Sequence, residues 1–196
     1  MNHRTVLRKL AGLRPCRWVR NLGLHRPRVF RQRVVNWLFQ RLLGLNRDSP
    51  WSVHFTSRVV MPKQIILGHG VERSLMFSGG CYLQGGNGIV IGDRTLFAPG
   101  VKIISANHGF SGSRQWVPGP PVTIGCDCWI GANAVILPGV SLGDRVIVGA
   151  GSVVTHSFES GVVIGGNPAE VLRVLSEEGA YEGGVAMSRG TEDKSG

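Results

Sequence analysis

His108 is the side chain best placed in this sequence to move a proton near neutral pH. A neutral imidazole can accept the proton of a hydroxyl as that oxygen attacks a neighbouring centre. It stands in Ser105-Ala106-Asn107-His108, where a regular pattern stops and a Gly-, Pro- and Ser-rich segment begins. Asn107 beside it either fixes the turn or touches an acceptor through its amide. Taken by position alone, a histidine on a loop is an ordinary surface residue, so the surrounding elements must decide its role. No Cys or Ser is arranged as a covalent nucleophile. The four cysteines stand at 16, 81, 126 and 128, with no second Cys or His pair near Cys126 and Cys128 to complete a metal site. They read as reduced cysteines of a cytosolic chain, and no metal is expected.

The element that must carry this loop is a repeat. From Ile124 to Ile164 a branched aliphatic recurs every six residues: Ile124, Ile130, Ile136, Leu142, Val148, Val154. A small residue usually follows each one. The slot four places further on is also small or β-branched: Cys128, Ala134, Val140, Val146, Ser152. A helix would space its apolar residues at three and four, and a half-buried strand at two. A period of six predicts short flat segments joined by tight corners, with Gly and Asn accepting positive φ there. With three segments per coil, Ile124 stacks on Leu142, Ile130 on Val148 and Ile136 on Val154.

The same phase begins at Ile91-Gly92-Asp93-Arg94-Thr95-Leu96 and runs through Phe97 to Ile103. It then slips, because the step from Ile103 to Ile124 is not a multiple of six. A loop from 105 to 121 is therefore expected. Between Ile65 and Asn87 the repeat is degraded, and Val53 to Ile66 reads as extended.

Trp129-Ile130-Gly131-Ala132, Ile136-Leu137-Pro138-Gly139-Val140, Val148-Gly149-Ala150-Gly151-Ser152-Val153-Val154 and Gly166-Asn167-Pro168-Ala169 stand in the order and spacing of a known family. Over roughly residues 51 to 175 the chain resembles the left-handed β-helix hexapeptide acyltransferases. It is nearest to the colanic-acid, maltose and galactoside O-acetyltransferases. The resemblance implies an all-β fold, a left-handed parallel β-helix with an N-terminal helical extension and a protruding active-site loop. The general preference for right-handed parallel crossovers would predict the opposite hand.

The resemblance also implies a reaction. His108 matches the family's catalytic histidine and would act as general base. A hydroxyl of a sugar or polysaccharide intermediate would then attack the thioester of acetyl-CoA directly, with backbone N–H groups holding the oxyanion. Gln84 falls near the place of an acceptor-binding Asn, a departure from the family pattern, and Asn87 is a second amide nearby. For acetyl-CoA the matching positions are Ala132 and Ala150 in a groove between coils, with Trp129 as a wall and Thr155 beside them. His156 replaces a usual cation near the nucleotide phosphates. Arg173 matches a second cation, and Glu170 stands where another is usual. Family members are homotrimers, so His108 of one chain would meet the groove of the next.

Other readings remain beside this one. An amino-sugar N-acetyltransferase or a serine O-acetyltransferase uses the same parts. A non-catalytic trimeric scaffold with a membrane-binding basic arm is the reading from another class. A γ-type carbonic anhydrase needs three zinc-binding histidines, and the later coils hold only His108 and His156. A sugar-nucleotide pyrophosphorylase needs a nucleotide domain longer than the N-terminal part.

The chain has 196 residues, about one domain, and its 29 glycines carry no triplet period. Its net charge of +10 is uneven. Residues 1–50 hold Lys9 and eleven arginines against Asp48 alone, a net +11, which leaves −1 for the remainder. That charge is a property of one end. Residues 1–28 read as a solvated extension or as an arm for an anionic membrane surface, with a short helix over Thr5–Leu13. No nucleic-acid motif accompanies the charge. No stretch reaches the roughly 20 apolar residues of a membrane span, and no apolar core of a secretory signal follows the basic start. An Arg-rich leader also suits a transit peptide, a weaker reading than a cytoplasmic chain at the inner face of the membrane.

A better helix is expected over Val29–Leu43, with Gly44 closing it. Phe30, Val34, Trp37, Leu38 and Leu42 form a stripe that should pack on the coil end or on a neighbouring subunit, or else meet a membrane surface. Three parts result: 1–50 as basic arm and helix, 51–175 as the catalytic coil, and 176–196 as a flexible tail. Glu170 to Leu175 is expected as a short helix or an edge segment.

Overall fold

The computed structural model describes residues 27–109 and 117–175. The expected helix over Thr5–Leu13, the basic arm before Pro27, the tail over 176–196 and the middle of the loop lie outside the described residues.

The coil is a three-sided prism. Its first sheet contains β1 (Arg58–Val60), β3 (Tyr82–Gln84), β6 (Lys102–Ile104), β9 (Val135–Ile136) and β12 (Val153–Val154). The second contains β2 (Ile65–Leu67), β4 (Ile89–Ile91), β7 (Val122–Ile124) and β10 (Ser141–Leu142). The third contains β5 (Leu96–Phe97), β8 (Trp129–Ile130), β11 (Ile147–Val148), β13 (Val162–Gly166) and β14 (Ala169–Val174). The chain visits first, second and third sheet in turn, and every pairing is parallel except β13 with β14. The architecture is the left-handed parallel β-helix.

The registers are those the six-residue period requires. Ile124 pairs with Leu142, Ile130 with Val148 and Ile136 with Val154. Each strand points one aliphatic inward, and Ile103, Ile130, Ile136, Val154 and Ile164 have no solvent exposure at all. Burying such a side chain contributes about 1.5–3 kcal/mol. The small slot is buried as well, in Cys128, Ala134, Val140, Val146 and Ser152. A larger side chain there would collide with the coil above. Burial also raises the Cys128 thiol above its usual range, which makes it a poor nucleophile.

Corners use positive φ, at Asn133, Gly139 and Gly151 as expected. They also use it at Arg94, Asp127 and Arg145, where composition gave no hint. There, Arg94 Nε and Nη2 donate to the two carboxylate oxygens of Asp127 at 2.7 and 2.5 Å. The degraded repeat near Ile65–Asn87 has a physical cause. α2 (Glu72–Phe77) takes the place of a third-sheet strand in the first coil. Ser74 Oγ there accepts the N–H of Phe97 as a strand carbonyl would. After Gly166, β14 folds back on β13 as an edge strand, one of the two forms expected for that segment.

The N-terminal helix α1 spans Pro27–Trp37 and continues as a π-turn over Leu38–Leu42, with Gly44 at φ +74° after it. Its packing removes the coil end from the three places expected for the apolar stripe. The buried residues are Asn36 and Gln40. Asn36 Nδ2 donates to Ser52 Oγ and to the Met76 carbonyl, each at 3.1 Å. Gln40 accepts the Val53 N–H at 3.1 Å and donates to the Trp51 carbonyl at 3.0 Å. The entry to the coil at Trp51–Val53 lacks a preceding strand to satisfy its backbone. The helix supplies the missing hydrogen bonds from amide side chains, which draws its polar side inward.

Candidate active site

The corner between first and second sheets, here the first edge of the prism, brings three segments together in successive coils. Asn87 lies on it between β3 and β4, the 105–121 loop between β6 and β7, and Pro138-Gly139 between β9 and β10. Asn87, Asn107, His108, Val117, Pro118, Gly119, Pro120, Pro138 and Gly139 enclose a cavity of about 310 Å³. No carboxylate lines it among the described residues.

The loop root is braced by hydrogen bonds from both sides. Ser105 is fully buried, and its Oγ donates to the Gln84 carbonyl at 2.8 Å and accepts the Asn87 N–H at 3.0 Å. The Val117 N–H returns to the Asn107 carbonyl at 2.9 Å, which closes the loop beside His108. Asn87 Nδ2 donates to the Val117 carbonyl at 2.9 Å, tying the loop's second limb to the coil beneath. His108 and Asn107 are exposed at the cavity mouth.

Gln84 departs from the acceptor-binding role expected of it. It is buried, its Oε1 accepts the Ala106 N–H at 3.0 Å, and its Nε2 donates to the Ala106 carbonyl at 3.3 Å. Both ends of the amide are occupied by the backbone two residues before His108. Gln84 therefore fixes the loop root and does not line the cavity. Val117–Pro120 fall within the expected loop but were not named as site residues, and Pro138-Gly139 was not named as one either. The signal was available, because β6 pairs with β9 through Ile103 and Ile136, so the corner after Ile136 must underlie the one after Ile103.

The remaining predicted positions lie on other parts of the prism. Ala132 and Ala150 sit on the third edge, between third and first sheets, in successive coils. Gly131 lies so close to the next coil that a Cβ there would stand 2.6 Å from the Ala150 nitrogen. Trp129 is 46% exposed on the outer side of the third sheet. Arg173 lies in β14, opposite Val163. Thr155 and His156 return to the first edge, one coil beyond Pro138, where Thr155 Oγ1 and His156 Nδ1 lie 3.2 Å apart. The His156 ring packs on Phe158 at 4.4 Å. The structure thus brings His108, Asn107 and Asn87 together, and leaves Ala132 and Ala150 on a different edge.

A family profile described as the hexapeptide repeat of succinyl-transferase matches residues 121–156. A hexapeptide-repeat-containing acetyltransferase from Vibrio cholerae O1 biovar eltor, solved in complex with acetyl-coenzyme A, is 32% identical. The match covers 62% of this chain and 69% of that one, with a TM-score of 0.52. The chain belongs to the hexapeptide-repeat acyltransferase family.

A maltose O-acetyltransferase from Clostridium difficile 630 is also 32% identical, over 62% of this chain and 64% of that one, with a TM-score of 0.53. The galactoside O-acetyltransferase of Escherichia coli strain K12 is 37% identical over 92 residues, 45% of each protein. The chain thus matches about half the length of its curated relatives.

Proposed function

We propose that this protein transfers an acetyl group from acetyl-CoA to a hydroxyl of a sugar or glycan intermediate. The observation that carries the reading is the cavity at the first edge. It presents His108 and Asn107 on a loop whose root is fixed by Ser105, Gln84 and Asn87. In the step itself, His108 takes the hydroxyl proton as the acceptor oxygen bonds to the thioester carbonyl carbon. The C–S bond then breaks, and the proton passes to the leaving thiolate. Asn87 and Asn107 place the acceptor. The relatives named above act on galactosides or maltose by name, and the sugar class comes from that likeness.

The donor would lie along the third edge, where the small side chains of Ala132 and Ala150 leave room between coils. Trp129 walls that groove and Arg173 serves the nucleotide end, while Thr155 and His156, on the first edge, would reach the nucleotide from the neighbouring copy. One copy holds His108 and this groove on different edges of its prism. A neighbouring copy must therefore bring them together, and we place the site at the boundary between subunits of a homotrimer. Exposed apolar side chains on the outer third sheet, Leu96 and Trp129, suit such a boundary.

Release of free CoA thiol, measured over a panel of neutral, acidic and amino sugars and serine, tests the reading. Turnover on a sugar hydroxyl is expected, falling by about 10²–10⁴-fold in His108→Ala, the usual weight of a general base. Equal turnover in the variant would remove His108 from the chemistry. Failure to bind acetyl-CoA would favour a scaffold.

A further inference from the structure

The α1 helix and its π-turn are inverted relative to an ordinary surface helix. Asn36 and Gln40 face the coil, with Phe39 stacked on Phe55 beside them. Phe30, Val34, Trp37, Leu38 and Leu42 face outward, with Leu43 and Leu45 following. Trp37 is 57% exposed and Leu42 70%. A contiguous apolar patch of this kind marks an interaction surface.

Cations surround it. Arg28, Arg31, Arg41 and Arg47 are exposed, Arg33 is half-buried, and Asp48 is the sole acid between 27 and 50. Between the helix and Pro50–Ser52 lies a pocket of about 250 Å³, lined in part by Arg33, Trp37, Gln40, Arg41 and Trp51. Arg33, one of its lining residues, has its Nε buried without a hydrogen-bond partner. A buried guanidinium N–H without an acceptor is costly, and a phosphate could pair two of its oxygens with this N–H and an Nη N–H of the same group.

A second copy is a poor occupant. Face to face, it would set arginines against arginines, and residues 51–175 carry a net positive charge, eight cations against six acids. An uncharged apolar partner would leave the arginines unused. An anionic lipid surface answers both features, with Trp and Leu entering the acyl boundary and arginines meeting phosphates.

We propose that the outward face of residues 27–47 docks this protein on an anionic membrane, with a lipid phosphate in the Arg33–Arg41 pocket. The face is a second functional surface, separate from the cavity at His108.

Co-sedimentation of the full chain with phosphatidylcholine vesicles, with and without phosphatidylglycerol, tests this. Binding is expected to the mixed vesicles, to weaken with salt, and to be slight on phosphatidylcholine alone. Trp37→Ala combined with Leu42→Ala should weaken it by about tenfold or more, because two large apolar anchors are removed. Arg33→Gln should weaken it on mixed vesicles only. Both changes alter exposed or half-buried groups, and an unchanged thermal transition will establish that the fold is kept. Absent binding, equal binding to neutral vesicles, or full binding by the Trp37/Leu42 variant would each overturn the proposal. The last outcome would assign membrane contact to residues before Pro27. A subunit count that falls in the Trp37/Leu42 variant, with no vesicle binding by the parent, would assign the face to a second copy.

Discussion

In the coil, Ile103, Ile136 and Val154 stack inward while polar groups occupy the corners. In the helix before it, Asn36 and Gln40 are buried, and Phe30, Trp37 and Leu42 meet solvent. The difference lies in what each part must satisfy. A coil strand has a strand above and below it, so its backbone is paired and its side chains need only be apolar and of the right size. The first segment of the coil lacks such a neighbour. Its groups at Val53 and Trp51, and the Met76 carbonyl at the end of α2, need partners, and amide side chains provide them. Backbone pairing outranks apolar burial at the end of the coil, and the displaced apolar surface becomes available for another use.

That contrast can be broken most severely in the coil. Ile136→Ala removes a fully buried side chain from the first-sheet column and should cost about 2–5 kcal/mol, because neighbouring coils cannot close the gap. Denaturant unfolding would measure it, and a loss below about 1 kcal/mol would mean that the column is not the core.

Gln40→Ala sharpens the other side. It leaves the buried Val53 N–H without its acceptor and should cost about 1–3 kcal/mol. The loss should be local. Hydrogen exchange over residues 27–45 should rise while the amides of the Ile136 region keep their protection. Uniform loss of protection would show that helix and coil form one cooperative unit.

The smallest effect belongs to Arg94→Ala. The Arg94 guanidinium holds the Asp127 carboxyl below its ordinary value, so their pairing stabilises the fold above that value and fades as pH falls through the depressed one. Both side chains are largely exposed, and screening by solvent keeps the contribution small. Any stability difference between parent and variant should disappear on acidification. A difference that persists at acid pH would assign the role of Arg94 to packing of its aliphatic stem rather than to the ion pair.

Much of the coil was legible because the six-residue period leaves a single register in which every sixth aliphatic faces inward. Ile124, Ile130 and Ile136 fix that register alone. The phase slip after Ile103 located the loop, and with it His108. Gln84 was misread because an amide near an active-site loop looks the same in sequence whether it faces substrate or backbone. The Ala106 contacts that decide it span 22 residues. For the apolar stripe of α1, the coil end was a wrong option for a related reason, while a neighbouring subunit or a membrane surface stays open. Asn36 and Gln40 resemble solvated positions until the unpaired backbone at the coil entry is seen. Pro138 and Gly139 were readable in principle, from the Ile103–Ile136 register, but only once the loop is excised from the count.

The proposed site is one that no single copy would assemble, because His108 lies on the first edge and Ala132 and Ala150 on the third. Complementation tests it most directly. His108→Ala and Ala132→Trp subunits, each inactive alone, are co-expressed and assayed for acetyl-CoA turnover. Random mixing within a cyclic trimer should restore about a quarter of the parent rate, as an intact His108 then meets an intact groove at some boundaries. No recovery from mixed assemblies that contain both variants would contradict the shared site.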